Sequence, residues 1–225
     1  MSRTRIKICG ICRAQDAAAA ARAGADAIGL VLHGPSSRIL TAAQANKIIA
    51  AIPAYVSAVG LFVDADRETF YRILQSVPIQ AIQLHGNEAP EVVASLQPIP
   101  VIKALHVDGK IKSTLAHWRK AIARLRLTNL KGILLETAGK RPGGSGVAND
   151  WKMIQRLLET GALDGFPPLI AAGGLAPGNV GDVVRMLRPY AVDVSSGVES
   201  ARRTKSAKLI RQFIEAVRTA DGVVS

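Results

Sequence analysis

The chain of 225 residues carries 29 lysines and arginines against 17 acidic residues, a formal net charge of +12, and is 48% hydrophobic. That apolar share fills one large core over residues 1–225 and excludes a disordered chain, while Cys9 and Cys12 lie too close together to staple distant elements and fit a reducing, cytoplasmic setting. No secretory signal is visible at the start and no apolar run approaches a membrane span, so no membrane role is expected.

The first predicted strand, at 5–9, delivers the Cys9 thiol to a glycine turn, and an alanine-rich helix follows at 14–23. Further strands are expected at 27–32, 56–63, 81–84, 101–105, 132–136, 169–172 and 191–195, alternating with helices at 42–51, 67–75, 90–96, 112–125, 150–159, 179–187 and 205–217. The strands are mostly unbroken apolar runs, as parallel strands covered on both faces require. Thr41 and Asp66 stand where helix caps belong, and Phe70, Ile73 and Leu74 keep the spacing of a core-facing stripe. Eight strand–helix units without a long linker predict an α/β fold, a (βα)8 TIM barrel. A doubly wound open sheet is the alternative, because sequence does not show whether the first and last strands pair.

In a closed barrel the C-terminal ends of the strands form the mouth where chemistry gathers. Cys9 ends the first strand there, and Cys-Gly-Ile-Cys also permits a redox or metal reading, although no second cysteine pair accompanies it. After strand two, Arg38 offers a rigid fork of donors for a carboxylate. Gln83 and His85 place polar groups at the mouth of strand four, where they are expected to contact substrate, and Glu136, after three apolar residues, either points into the mouth or caps a local loop. Partial burial there raises a carboxylate pKa toward the range of a proton donor. The 138–149 segment, with Gly144 in its Gly-Gly-Ser-Gly core, reads as a lid or as a solvated connection. Gly173 and Gly174 after strand seven, with Ser195 and Ser196 after strand eight, supply the backbone and hydroxyl donors of a phosphate seat. The basic charge suits nucleic acid, an acidic surface or a phosphorylated small molecule. Aromatic residues are only 4% and do not interleave with Arg202, Arg203, Lys205, Lys208 and Arg211, which disfavours nucleic acid.

Lys7-Ile8-Cys9-Gly10-Ile11, Gly60-Leu61-Phe62-Val63, Gln83-Leu84-His85-Gly86, Gly143-Gly144-Ser145-Gly146, the run from Gly173 to Val180, and Asp193 to Glu199 occur together in this order. In this the chain resembles the phosphoribosylanthranilate isomerase family, barrel enzymes of tryptophan biosynthesis, over nearly its whole length. The resemblance implies an Amadori-type isomerisation of a phosphorylated small-molecule substrate, with no cofactor and no metal. It implies Cys9 as general base and Glu136 as general acid, Arg38 on the substrate carboxylate, Asp193 near its amine and hydroxyls, and phosphate at Gly173, Gly174, Ser195 and Ser196. A positive field at the mouth is expected to favour the Cys9 thiolate. The chain departs from the family pattern at Glu136, where aspartate is usual, and at Cys12, where threonine is usual. Asn149, the 33–37 loop and the 203–206 segment depart as well. Another phosphorylated aminosugar as substrate is the main alternative, a non-enzymatic binder of a phosphorylated metabolite or nucleic acid the further one, and monomer or homodimer stays open.

Overall fold

The computed structural model describes residues 3–137 and 151–222. Eight parallel strands, β1 (Arg5–Ile8), β2 (Ala27–His33), β3 (Ser57–Phe62), β4 (Ala81–Leu84), β5 (Val101–Val107), β6 (Leu130–Thr137), β7 (Leu169–Ala172) and β8 (Ala191–Val194), form a closed barrel. The sheet closes where β1 pairs with β8, from Arg5 opposite Ala191 to Ile8 opposite Val194. That pairing decides for the barrel against an open sheet. Eight helices cover the strands: α1 (Ala14–Ala23), α2 (Ala42–Ile49), α3 (Arg67–Ser76), α4 (Pro90–Ser95), α5 (Ile111–Leu125), α6 (Trp151–Glu159), α7 (Val180–Leu187) and α8 (Ala207–Ala220).

Local chemistry sets the helix ends. Thr41 and Gln44 form a reciprocal capping box at α2, and the Asp66 carboxylate accepts from the Thr69 N–H at α3. Gly24 ends α1 at φ 98°, a left-handed conformation in which a glycine carries no Cβ penalty.

The apolar strands divide their residues by parity. Ile6, Ile8, Ile28, Leu30, Ile82, Leu84, Ile133, Leu135, Val192 and Val194 join the main core with the helix faces. Residues of the opposite parity turn into the barrel, where Ala104, Leu134, Ile170, Ala172 and Ala191 make one cluster and Cys9, Val31 and Leu61 another. The same parity brings Lys7, Gln83, His85, His106, Glu136 and Asp193 toward the barrel axis. The outer faces are therefore largely apolar, with the buried Lys103 of β5 as an exception, while the inner face turns polar toward the mouth.

Many element boundaries lie one to three residues from the sequence expectation, and two of these differences bear on the site. Strand five runs to Val107 rather than 105, which carries His106 into register opposite Glu136. The last helix starts at Ala207 rather than 205, because Ser206 caps it by accepting from the Leu209 N–H. Lys205 belongs instead to a short antiparallel pair, β9 (Glu199–Ala201) and β10 (Thr204–Lys205), that follows a 3-10 turn at Ser196–Val198.

Candidate active site

The Cys9 sulfur sits at the inner end of β1, 93% removed from solvent, with its N–H donating to the Val194 carbonyl at 2.8 Å. Its neighbour across the sheet is Gly29. A Cβ there would come within 2.6 Å of the Cys9 sulfur and 3.1 Å of the Lys7 Cε, so the glycine makes the space both side chains occupy. Both cysteines are free thiols. Cys12 is turned toward the Gly10 and Arg38 carbonyls, at 3.6 and 3.8 Å, and packs on the outer core rather than on the barrel interior that holds Cys9.

Lys7 lies two residues before Cys9 on the same face, and its Nζ donates to Asp193 Oδ2 at 2.7 Å; both side chains are buried. Burial works against the Lys7 ammonium, but Asp193 and Cys9 outweigh it and raise its pKa. Asp193 Oδ1 is buried and has no hydrogen-bond donor among the described residues. A buried carboxylate oxygen left open at the mouth suits a substrate N–H or hydroxyl.

The expected preference for a thiolate is reversed. Burial and the Asp193 charge push the Cys9 thiol up, and Lys7 and Lys205 offset only part of this. The expected rise at Glu136 is reversed as well. Burial favours its neutral form, but the hydrogen bond from His85, with the positive potential of the surrounding histidines and Lys7, prevails and holds it below the ordinary carboxylate value. At neutral pH the resting mouth therefore holds a thiol and a carboxylate.

Glu136 does point into the mouth. Its Oε2 lies 3.0 Å from His85 Nε2 and 3.9 Å from His106 Nδ1, and Gln83 Nε2 lies 2.9 Å from His85 Nδ1. The loop carrying His85 is held from below by a buried pair. Lys103 Nζ donates to Glu88 Oε2 at 2.8 Å and to the Gly86 carbonyl at 2.7 Å, while Glu88 accepts from the Gly86 and Asp64 N–H groups at 3.0 Å.

Arg38 is engaged before any ligand arrives. Its Nε and Nη2 donate to the two oxygens of Glu199 at 2.8 and 2.7 Å, and Lys205 Nζ donates to the same carboxylate at 2.9 Å and to the Ser195 carbonyl at 3.0 Å. Gly10, at φ 69°, lets this cluster close over it. A Cβ there would lie 2.6 Å from Arg38 Cδ and 3.0 Å from Ser195 Oγ.

Gly173 and Gly174 both take positive φ, 91° and 61°, and Asn179 staples the loop by accepting from the Ala176 N–H and donating to the Gly174 carbonyl. The N–H groups of Gly173, Gly174, Ser195 and Ser196 donate to no acceptor among the described residues. A Cβ on Gly197 would collide with the Leu175 carbonyl, so the two loops touch and their open donors share one corner of the mouth. Gly144 lies outside the described residues. Among the described residues no group of three or more His, Cys, Asp or Glu side chains has the arrangement of a metal site.

Three contributors escaped the sequence reading. His106 fell beyond the predicted end of its strand, although the alternation Ile102, Ala104, His106 is the signal that would have found it. Lys7 and Glu199 stood inside recognised motifs without a role. A lone lysine in a strand facing the barrel interior is itself a sign of a buried partner. We expect Lys7→Met to lower folding stability by about 3–5 kcal/mol, because Asp193 is left as a buried unpaired charge. Urea denaturation followed by circular dichroism measures this.

Residues 6–216 match the family model described as N-(5'phosphoribosyl)anthranilate (PRA) isomerase. Over 225 residues, and the full length of both chains, the sequence is 44% identical to N-(5'-phosphoribosyl)anthranilate isomerase of Pseudomonas fluorescens (strain SBW25). It is 42% identical over 221 residues, 97% of each chain, to that of Pseudomonas aeruginosa (strain LESB58). The fold superposes on the crystal structure of phosphoribosyl anthranilate isomerase from Thermotoga maritima with TM-score 0.83 at 34% identity, covering 96% of this chain and 99% of that one. A crystal structure of phosphoribosyl anthranilate isomerase in complex with reduced 1-(o-carboxyphenylamino)-1-deoxyribulose 5-phosphate matches with TM-score 0.79 at 33% identity, over 96% and 99% of the two chains.

Proposed function

The chain belongs to the N-(5'-phosphoribosyl)anthranilate isomerase family, and from that premise we propose how its own residues carry the reaction. The enzyme converts N-(5'-phosphoribosyl)anthranilate into 1-(2-carboxyphenylamino)-1-deoxyribulose 5-phosphate. The observation that supports the assignment of roles is the inward placement of one thiol and one carboxylate, Cys9 and Glu136, at the same end of the barrel.

Glu136 in its protonated form gives a proton to the furanose ring oxygen. The C1–O bond breaks, and the amine lone pair closes a C1=N iminium. The iminium withdraws electrons from the neighbouring C2–H, so the Cys9 thiolate removes that proton and the C–H electrons form the C1=C2 bond of an enolamine. Tautomerisation moves the enol proton from oxygen to C1 and leaves the ketone. The enzyme ends the cycle as thiol and carboxylate, its resting state. The reactive state has one proton on the other partner, so only a minority of the enzyme is poised at any instant.

The substrate is anionic at both ends. Gly173, Gly174, Ser195 and Ser196 offer their open donors to the phosphate, and Arg38, aimed by Glu199, holds the anthranilate carboxylate with the donors left over from that pair. Asp193 Oδ1 accepts from the substrate amine or 2-hydroxyl. Lys7, beneath both, offsets the Asp193 charge and stabilises the thiolate as it forms.

Freshly generated phosphoribosylanthranilate loses its anthranilate fluorescence on conversion. Turnover by the purified protein supports the reading, and a folded protein that leaves the signal unchanged refutes it.

A further inference from the structure

Two side chains at the end of β4 and one on β6, the next strand but one, stand in line at the mouth. Gln83 Nε2 is 2.9 Å from His85 Nδ1, and His85 Nε2 is 3.0 Å from Glu136 Oε2. An amide nitrogen only donates, so the ring nitrogen facing it accepts, and in a neutral imidazole the other nitrogen then carries the hydrogen. A carboxylate only accepts. The two bonds therefore agree in direction and run from Gln83 through His85 to Glu136.

Gln83 has no exposed surface, and its Oε1 is buried without a partner among the described residues. Turning the amide over would need a hydrogen on His85 Nδ1, and a neutral ring would then set a bare Nε2 against the Glu136 carboxylate, which only accepts. Glu136 Oε1, by contrast, makes no hydrogen bond among the described residues and is free for substrate. The other groups facing this carboxylate are His106 on β5, at 3.9 Å and too long for a hydrogen bond, and Lys7 on β1, acting through its charge.

We infer that Gln83 and His85 are positioning residues for the proton donor. Gln83 fixes the His85 tautomer, and His85 aims one oxygen of Glu136 so that the other meets the substrate ring oxygen. A glutamate has one more rotatable bond than the aspartate usual at this place, and the imidazole removes that freedom. The inference rests on the isomerase reading for its consequence, though not for its geometry. It replaces the sequence expectation that Gln83 and His85 contact substrate.

The two readings fail separately. Long-range proton–nitrogen NMR of the ligand-free protein at neutral pH, with the His85 signals assigned by their loss in His85→Gln, is expected to show Nε2 protonated and Nδ1 bare. A hydrogen on Nδ1 overturns the inference whatever the turnover. In kinetics, His85→Leu is expected to lower kcat by about a hundredfold with KM nearly unchanged, the cost of a carboxyl displaced by about 1 Å. The acid limb of its pH profile moves to higher pH, because the hydrogen bond that holds Glu136 down is gone. His85→Gln, whose amide can donate to the same oxygen, recovers most of kcat. A raised KM at full kcat makes His85 a substrate contact and overturns the inference. Equal losses in both variants with an unmoved acid limb mark a merely structural histidine and overturn it too. Should His85→Leu fail to fold, the tautomer and the His85→Gln profile still decide. A folded wild-type protein without turnover sinks the isomerase reading alone.

Discussion

Cys9→Ala is expected to lower kcat by about 10²–10⁴-fold, the range a positioned general base contributes, while KM moves little. The backbone bond from the Cys9 N–H to Val194 survives the substitution, and the smaller side chain fits where Gly29 already leaves room. The variant therefore folds, and the loss reads as chemistry. Cys9→Ser is expected to lose nearly as much. Its hydroxyl is far less acidic than a thiol, and the same burial and Asp193 charge oppose ionising it. Cys12→Ser is expected to keep its activity, since that side chain meets only the Gly10 and Arg38 carbonyls. Loss of anthranilate fluorescence under single-turnover conditions measures all three.

Glu136→Gln is expected to cost a similar factor, about 10²–10⁴ in kcat, by a different route. The amide keeps the size of the side chain and still presents an oxygen to His85, but it has no proton to give to the ring oxygen. Glu136→Asp restores the residue usual in the family and keeps an acid. Its carboxyl is drawn back from His85, so we expect a loss smaller than that of Glu136→Gln, on the order of a hundredfold or less. Equal rates in wild type and Glu136→Gln would remove the carboxylate from the mechanism. Lys7 enters both arguments because it lowers Glu136 and Cys9 together.

The barrel was legible because each of its eight strands is short, apolar and followed by a helix with its own stop and start signals. Closure was not legible, since it depends on β1 meeting β8 across 186 residues, the separation that also joins Lys7 to Asp193. Cys9 and Glu136 could be read as strand-end groups because each closes a short apolar run, and Asp193 through the motif it stands in, whereas the parity that turns all three inward is seen only in the closed barrel. Arg38 could be read as a candidate, but its fork against Glu199 spans 161 residues and leaves no local trace. Protonation states were misjudged for the same reason. Burial at Glu136 was foreseeable from its apolar neighbours, whereas a histidine just after β4, another on β5 and a lysine on β1 converge on it only in the folded chain. At Cys9 the basic surface suggested a thiolate, but the buried Asp193 carboxylate is nearer to the question than net charge is.

The pH dependence of kcat/KM reads these two groups in the free enzyme, once the substrate's own phosphate titration near pH 6 is allowed for. The poised form needs a proton on Glu136 and none on Cys9, while the resting form has the reverse. Between the two pKa values the poised fraction is then constant. Below the Glu136 value it falls because Cys9 is held protonated, and above the Cys9 value it falls because Glu136 has lost its proton. The account predicts a rate level across the neutral range, declining only below the ordinary carboxylate range and above the ordinary thiol value of about 8.5. A rate that climbs through pH 7–9 to a lasting plateau, the mark of a thiolate base working without a proton donor, would contradict it.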